Sequence, residues 1–393
     1  MKSLKILCAF ITALLCVTAV SCGDKPEESS ENPESSVSET TTEADTQPEE
    51  TTETPEETTS EPETDTDIQS AEIPVTPEST FPETETKADN SGNVSAYGTT
   101  ADISQYIKTT EIKPPLWKVT DPETQNELYI MGTIHVLPSS FDGLPDYIAD
   151  IYENSDGVAV EYDVTQLTSD IRALITYQQM FLYDDGTTIQ DHISDETYQK
   201  AKEHFESVGA YTPELDQFSA GYWYNQLENL MILRLENLST DGVDSQAIAL
   251  AQKDGKEVVS IETLATQVNA LGGMSDELVD YVMNDMLDDM DDIDDYAEEL
   301  AELYDLWAVG DVDPMLSEDL EDMEELPDDL KDDYEHYMDV MLFDRNQGMA
   351  EKASEFLKDG KNYLFMVGSA HYAGEKGVDD ILSGMGYTVE KIQ

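Results

Sequence analysis

Apolar and polar residues alternate in blocks along most of the chain, and the blocks differ in period. Short continuous apolar runs predict six β-strands, at residues 116–119, 128–131, 158–160, 258–261, 363–367 and 387–392. Between them, apolar residues recur at helical spacing and predict helices at 165–181, 195–208, 218–234, 244–253, 276–309, 334–358 and 378–385. Continuous apolar strands that alternate with helices predict an α/β domain with a mixed, largely parallel sheet.

The segment 276–335 combines helical apolar spacing with an extreme acidic content. It holds 27 acidic residues against one basic residue, Lys331, while Leu278, Val282 and Met286 recur at helical spacing. We predict amphipathic helices with a solvated acidic face, inserted between the strand-rich parts of the domain. The alternative is a calcium loop, but an EF-hand needs a glycine at its sharp turn and residues 285–295 contain none.

The N-terminus has the pattern of an export signal. Lys2 and Lys5 precede an apolar run at 6–20 that is short for a membrane span, and small residues lead to Cys22. Residues 1–21 are therefore predicted to be a signal peptide, and Cys22 lies in a bacterial lipobox-like context. The prediction is a lipid anchor on Cys22 at the extracellular face of the cell membrane; the alternative is an ordinary secretory signal with an incidental cysteine.

Residues 22–100 consist largely of Glu, Thr, Ser and Pro. Such a stretch buries too little apolar surface to offset the entropy lost on ordering, so it predicts a disordered acidic stalk. The folded domain is then expected at 101–393.

The net charge and the cysteine content limit which partners and metal ligands the protein can have. With 87 acidic and 20 basic residues, the net charge of −67 disfavours nucleic acid and favours cationic partners. Cys8 and Cys16 lie within the predicted signal, so no thiol remains in the domain once Cys22 is acylated. A metal in the domain would have to be held by histidines and carboxylates.

The strongest chemical signal is a repeated Gly-x-x-His element at the end of an apolar run. It ends in His135 in the first copy and in His371 in the second. Two further runs lead into Glu161, with Asp163 close behind, and into Glu262. Because function gathers at the carboxyl ends of parallel strands, these imidazoles and carboxylates form a candidate site for a divalent metal. The alternative is that the histidines are structural.

A second feature is Asp344-Arg345-Asn346, within a predicted helix. The guanidinium of Arg345 offers a fork of donors for a substrate carboxylate or a strand-end glutamate; the alternative is an ordinary ion pair on a helix. Asp244 opens another predicted helix, where it can serve as a cap.

These motifs resemble the TraB/GumN family, to which the Tiki-type metalloproteases are related. The resemblance rests on residues 129–136, 160–163, 242–245, 258–267, 344–347, 367–372 and 386–389. It implies an α/β core formed by two related halves, with the paired Gly-x-x-His elements and an acidic residue at the active centre. Tiki-type members imply divalent-metal-dependent peptide cleavage, whereas other members are linked to blocking peptide pheromone signalling.

The resemblance assigns roles by motif position. It implies His135, Glu161 and His371 as metal ligands or catalytic groups, and Arg345 as a group that contacts the substrate or supports the ligands. We predict Glu161 and Arg345 as the catalytic pair, and Asp163, Asp244 and Glu262 as supporting groups. The cofactor is expected to be manganese, cobalt or zinc. The chain is thus predicted to be a metal-dependent hydrolase, a peptidase acting on extracellular peptides. The alternatives are a non-enzymatic peptide-binding or pheromone-sequestering surface protein, and an interaction domain that has lost the chemistry.

Overall fold

The computed structural model of the chain describes residues 98–141, 143–290 and 292–392. The predicted signal peptide, Cys22 and nearly all of the predicted stalk lie outside the described residues. Strands in the described part are β1 (Ala101–Asp102), β2 (Leu116–Thr120), β3 (Glu127–Thr133), β4 (Leu137–Pro138), β5 (Gly157–Val160), β6 (Leu235–Glu236), β7 (Leu238–Ser239), β8 (Glu257–Ser260), β9 (Tyr363–Gly368) and β10 (Thr388–Lys391).

The main sheet has six strands in the order β10-β2-β3-β9-β5-β8. Strands β3, β9, β5 and β8 are mutually parallel, whereas β2 pairs antiparallel with β3 and with β10. The mixed, largely parallel sheet predicted from the sequence is confirmed. At the ends of the parallel strands, Thr133 pairs with Gly368 and Val160 pairs with Ser260, so four carboxyl ends meet at one edge.

Helices cover much of the remaining described chain. They are α1 (Asp146–Glu153), α2 (Thr165–Ser169), α3 (Ile171–Gln179), α4 (Asp195–Ser207), α5 (Ala220–Ile232), α6 (Val243–Asp254), α7 (Leu264–Leu271), α8 (Asp276–Asp289), α9 (Ile293–Ala308), α10 (Asp313–Glu325), α11 (Lys331–Met338), α12 (Asp344–Asp359) and α13 (Val378–Gly384). Within the described ranges, no helix combines the length and the apolar character needed to cross a membrane.

Three predicted helices are interrupted. The segment 165–181 breaks at Asp170, whose backbone is extended at φ −131° and whose carboxylate accepts the Arg172 N–H at 2.9 Å. Segment 276–309 divides into α8 and α9, with the Asp292 carboxylate capping the start of α9. Segment 334–358 contains a π-helical turn at Asp339–Phe343, between α11 and α12. The first two breaks have side-chain caps, whereas the third is a π-helical turn in helical backbone without a cap. The spacing of apolar residues alone did not distinguish these features from a continuous α-helix.

The acidic segment is folded as predicted, with amphipathic helices between β8 and β9. Leu278, Val282 and Met286 of α8 are buried, as is Trp307 of α9. The Trp307 indole N–H donates to the Gly132 carbonyl at 3.0 Å. The acidic segment is therefore fixed to β3, close to the Gly-x-x-His element that this strand carries.

Candidate functional site

The chemistry-bearing residues predicted from strand ends lie along one edge of the sheet. His135 follows β3, His371 follows β9 in a 3₁₀ turn (Ser369–Tyr372), Glu161 follows β5 and Glu262 follows β8. His135, Glu161 and His371 are 3%, 5% and 1% exposed, respectively. The order of the strands places the two imidazoles next to each other and the two carboxylates beyond them.

Arg345 of α12 joins the two carboxylates. Its Nη2 donates to Glu161 Oε2 at 2.6 Å and to Glu262 Oε2 at 2.8 Å, and its Nε donates to Glu262 Oε1 at 2.9 Å. Its Nη1 donates to the Met341 carbonyl at 2.8 Å, within the π-helical turn that precedes α12. All three nitrogens are engaged by protein groups, so Arg345 acts in this structure by positioning Glu161 and Glu262.

The two carboxylates differ in their proton affinity. Burial alone raises the pKa of Glu161, but Arg345, His371, His135 and the Gly368 N–H outweigh it, so this pKa lies below its usual range. Burial also raises the pKa of Glu262. The attraction of Arg345 is too weak to offset this effect, so the net pKa of Glu262 lies above its usual value. Glu161 is thus held as a carboxylate anion at the centre of the site.

The tautomer of His371 is set by Asn346. Asn346 Nδ2 donates to the Lys376 carbonyl at 2.8 Å, which turns the amide oxygen toward His371 Nδ1 at 2.5 Å. Nδ1 therefore carries the proton, and Nε2 presents its lone pair 3.6 Å from Glu161 Oε1. Burial, and then the nearby Arg345, lower the pKa of His371 to about 3, so its imidazole is neutral at physiological pH.

His135 has a carboxylate partner instead. Its Nδ1 lies 3.2 Å from Asp244 Oδ1, at the start of α6. Burial lowers the pKa of His135, but the charge and hydrogen bond of Asp244 and the charge of Glu161 together outweigh it, and the net pKa lies above its usual value. Asp244 thus orients the His135 ring.

A glycine allows α6 to approach the β3 loop this closely. A Cβ on Gly242 would lie 2.6 Å from His135 Cα and 2.7 Å from the Ile134 carbonyl oxygen, which accepts the Val243 N–H at 3.0 Å. The packing of backbone on backbone leaves no flexible group to move away. The contact between His135 and Asp244 therefore depends on a residue without a side chain at 242.

Gly242→Ala is expected to lower the free energy of unfolding by about 1–3 kcal/mol, because the added methyl group overpacks two backbone segments. The measurement is urea unfolding followed by circular dichroism. Gly348→Ala is the matched control, since a Cβ there meets nothing within 4 Å and lies on helix α12. That control should be neutral or stabilising by up to about 1 kcal/mol. Equal effects of the two variants would contradict the packing argument.

Two residues at the site were not predicted as site residues. Asn346 fixes His371, and Gln267 Nε2 donates to Glu161 Oε2 at 3.2 Å and to Glu262 Oε2 at 2.5 Å. Asn346 adjoins Arg345 in sequence and Gln267 follows Glu262 by five positions, and both lie in segments on which the family resemblance rests. Asn and Gln side chains have no charge or spacing pattern that marks a functional site. Their roles are therefore recognised only from their contacts in the folded structure.

One predicted supporting residue lies in a different local arrangement. Asp163 Oδ1 accepts hydrogen bonds from the Thr165 N–H at 3.1 Å and the Thr165 hydroxyl at 2.6 Å, at the start of α2. This contact is an Asx-type turn that begins a helix. Among the described residues, the hydrogen bonds of the Asp163 carboxylate lead to this turn and not to the histidines.

The donor chemistry of the site fits a divalent metal. Both imidazoles have Nδ1 engaged by an oxygen acceptor, the arrangement that commonly orients a metal-binding histidine, and Glu161 is an anion beside them. In the described part of the chain, no group of three or more His, Cys, Asp or Glu side chains is gathered closely enough to hold an ion. Of the three predicted ligands, His371 and Glu161 lie 3.6 Å apart, measured from Nε2 to Oε1.

Comparison with known proteins places the chain in a family. The sequence model of the TraB/PrgY/gumN family matches residues 115–391, which contain every strand of the main sheet and the whole candidate site. The chain belongs to the TraB/PrgY/gumN family. The family resemblance predicted from the motifs is therefore confirmed.

A curated relative comes from Amphimedon queenslandica and carries the name Metalloprotease TIKI homolog. The two are 22% identical over an alignment of 320 residues, which covers 70% of this chain and 61% of the relative. The aligned region thus spans less than two thirds of that protein. No solved structure matches the chain significantly.

Proposed function

We propose that this family member is a metal-dependent hydrolase that cleaves peptides, with the site at the carboxyl edge of the sheet as its active centre. The observation that carries the proposal is the meeting of a neutral His371 Nε2 with an ionised Glu161, 3.6 Å apart. The relationship to a protein named as a metalloprotease supports the same chemistry. Divalent manganese, cobalt or zinc is the proposed cofactor.

His135, His371 and Glu161 would hold the ion. His135 and Glu161 each shift the pKa of the other, so the three groups belong to one electrostatic unit. A divalent ion in such a site supplies Lewis-acid polarisation of a carbonyl and lowers the pKa of water. Asp244 contacts Nδ1 of His135 and Asn346 contacts Nδ1 of His371, so Nε2 of each ring is the atom that would bind the metal.

The low pKa of Glu161 supports one of its two predicted roles, that of a metal ligand. A carboxylate that resists protonation is a weak proton acceptor, and it stays available as an anionic ligand. We therefore propose Glu161 as a ligand and electrostatic partner rather than as the general base. Arg345 maintains that state and acts as a positioning residue.

The proposal is tested with the full chain and a mixture of synthetic peptides of varied sequence, analysed by mass spectrometry. Products are expected with added manganese, cobalt or zinc, to disappear with a chelator, and to return when the metal is restored. Stoichiometric peptide binding without product under every metal condition would instead support the sequestering function. We separately propose that a lipid on Cys22 holds the protein at the outer face of the cell membrane, as the lipobox-like context of this cysteine indicates.

A further inference from the structure

Gln267 of α7 is a buried amide that contacts both glutamates of the candidate site. The residue is 1% exposed, and its Nε2 donates to Glu161 Oε2 at 3.2 Å and to Glu262 Oε2 at 2.5 Å. Its Oε1 has no hydrogen-bond partner among the described residues. Because an ionised carboxylate can only accept hydrogen bonds, the amide turns its donor toward the glutamates, even though a buried oxygen is then left unsatisfied.

The start of α7 places Gln267 beside these glutamates. Thr263 is the N-cap of α7, and its hydroxyl accepts the Thr266 N–H at 3.2 Å. Glu262 precedes the cap and Gln267 is the fourth residue of the helix, two positions whose side chains commonly meet at a capped N-terminus. The Glu262 N–H donates to the Glu161 carbonyl at 2.9 Å, so the two glutamates lie side by side. The local fold thus brings one amide to two carboxylates.

The two oxygens of the Glu161 carboxylate have different partners. Oε2 accepts hydrogen bonds from Arg345 Nη2 at 2.6 Å and from Gln267, so its two donors come from α12 and α7. Oε1 accepts the Gly368 N–H at 2.6 Å and faces His371 Nε2 at 3.6 Å. Oε1 is therefore the oxygen on the histidine side of the carboxylate.

We propose that Gln267 is a positioning residue, which together with Arg345 keeps Oε2 of Glu161 occupied, so that Oε1 is the oxygen presented to a metal; the role toward a metal rests on the proposed function. A single hydrogen bond leaves a carboxylate free to turn about that bond, whereas two donors from different helices fix its plane. Gln267 supplies the second donor without a charge. It therefore orients Glu161 without placing another cation beside a site that has to accept one.

The first test needs no metal and follows the Gly368 amide proton by NMR in the glycine-labelled full chain. A short hydrogen bond to an anion moves an amide proton downfield, so this resonance reports where Oε1 of Glu161 lies. Gln267→Met keeps the length of the side chain and removes the donor, and it should shift the Gly368 amide proton upfield. Gly368→Ala assigns the resonance by its loss.

The second test is titration of the full chain with cobalt(II), followed by visible absorption, which separates ions bound to imidazole from ions held loosely by surface carboxylates. Gln267→Met is expected to weaken cobalt binding by about 10–100-fold, the usual cost of losing a group that orients a metal ligand. Gln267→Asn keeps the amide but withdraws it by one methylene. It should shift both readouts in the same direction, and it replaces Gln267→Met if that variant does not fold.

Asn225→Leu is the matched control for both tests. Asn225 is another buried amide, in α5, and its Nδ2 donates to the Leu271 carbonyl at 3.3 Å, at the far end of α7. Its side chain thus holds the end of α7 rather than the glutamates near its start. Asn225→Leu should lower the stability to urea but leave the Gly368 resonance and the cobalt affinity unchanged.

Several outcomes would overturn the inference. An unchanged Gly368 resonance and cobalt affinity in Gln267→Met would mean that Arg345 positions Glu161 alone. Equal changes in Gln267→Met and Asn225→Leu would reduce Gln267 to a structural contact of α7. A shifted Gly368 resonance without loss of cobalt affinity would contradict the role toward the metal. If the wild type bound no cobalt while Gln267→Met still shifted the Gly368 resonance, the metal-dependent function would be contradicted and the positioning of Glu161 supported.

Discussion

Replacing Arg345 by methionine is expected to lower the free energy of unfolding by about 3–5 kcal/mol, the cost of leaving buried charge uncompensated. Arg345 is the guanidinium that both Glu161 and Glu262 contact, at 2.6 Å and 2.8 Å. Without it, Glu161 keeps a hydrogen bond from Gly368, but two nearly buried carboxylates face each other without their cation. The loss is therefore larger than the value of any one of its hydrogen bonds.

Urea unfolding at pH 7 measures this effect, and Lys352→Met on the same helix is the control. Lys352 pairs with Glu355 on the solvent side of α12, with side chains 36% and 62% exposed, so its loss should cost less than about 1 kcal/mol. If both variants lost the same stability, the charge network would not be the source of the Arg345 effect.

Acidification should narrow the difference between wild type and Arg345→Met. In the wild type, the depressed pKa of Glu161 gives stability that is present above the usual glutamate pKa and is lost as the pH falls. In the variant, both carboxylates bind protons more readily and become neutral, which removes the uncompensated charge. A difference that stayed constant from pH 7 to pH 4 would contradict this explanation.

The location of the site was predictable because strand ends have a strong sequence signature. His135, Glu161, Glu262 and His371 each follow an apolar run, and parallel strands must present such residues at a common edge. The strand order that makes His135 and His371 neighbours was not predictable. It depends on β9, from the end of the chain, pairing between β3 and β5.

Features that depend on contacts between distant parts of the chain could not be predicted from the sequence. Trp117 and Tyr372 are far apart in the chain, and they stack only because β2 joins the sheet next to β3 in an antiparallel direction. The tautomer of His371 similarly depends on a carbonyl at Lys376 that orients Asn346. Neither relationship leaves a periodic or compositional pattern, so only the packed structure shows which polar groups are satisfied and which are not.

His135→Ala and His371→Ala are each expected to reduce metal-dependent peptide cleavage by at least about 100-fold. Loss of a residue that only orients a metal ligand costs about 10–100-fold, and loss of a proposed metal ligand itself should cost more. Asn346→Leu should give that smaller loss, since His371 keeps its ring but loses the acceptor that fixes its tautomer. His336→Ala is the control, on the exposed side of α11, and should retain full activity. Measuring kcat/KM at matched metal concentration, with circular dichroism to verify folding, separates these effects. If His371→Ala and His336→Ala retained equal activity, the site at the carboxyl edge of the sheet would not be the active centre.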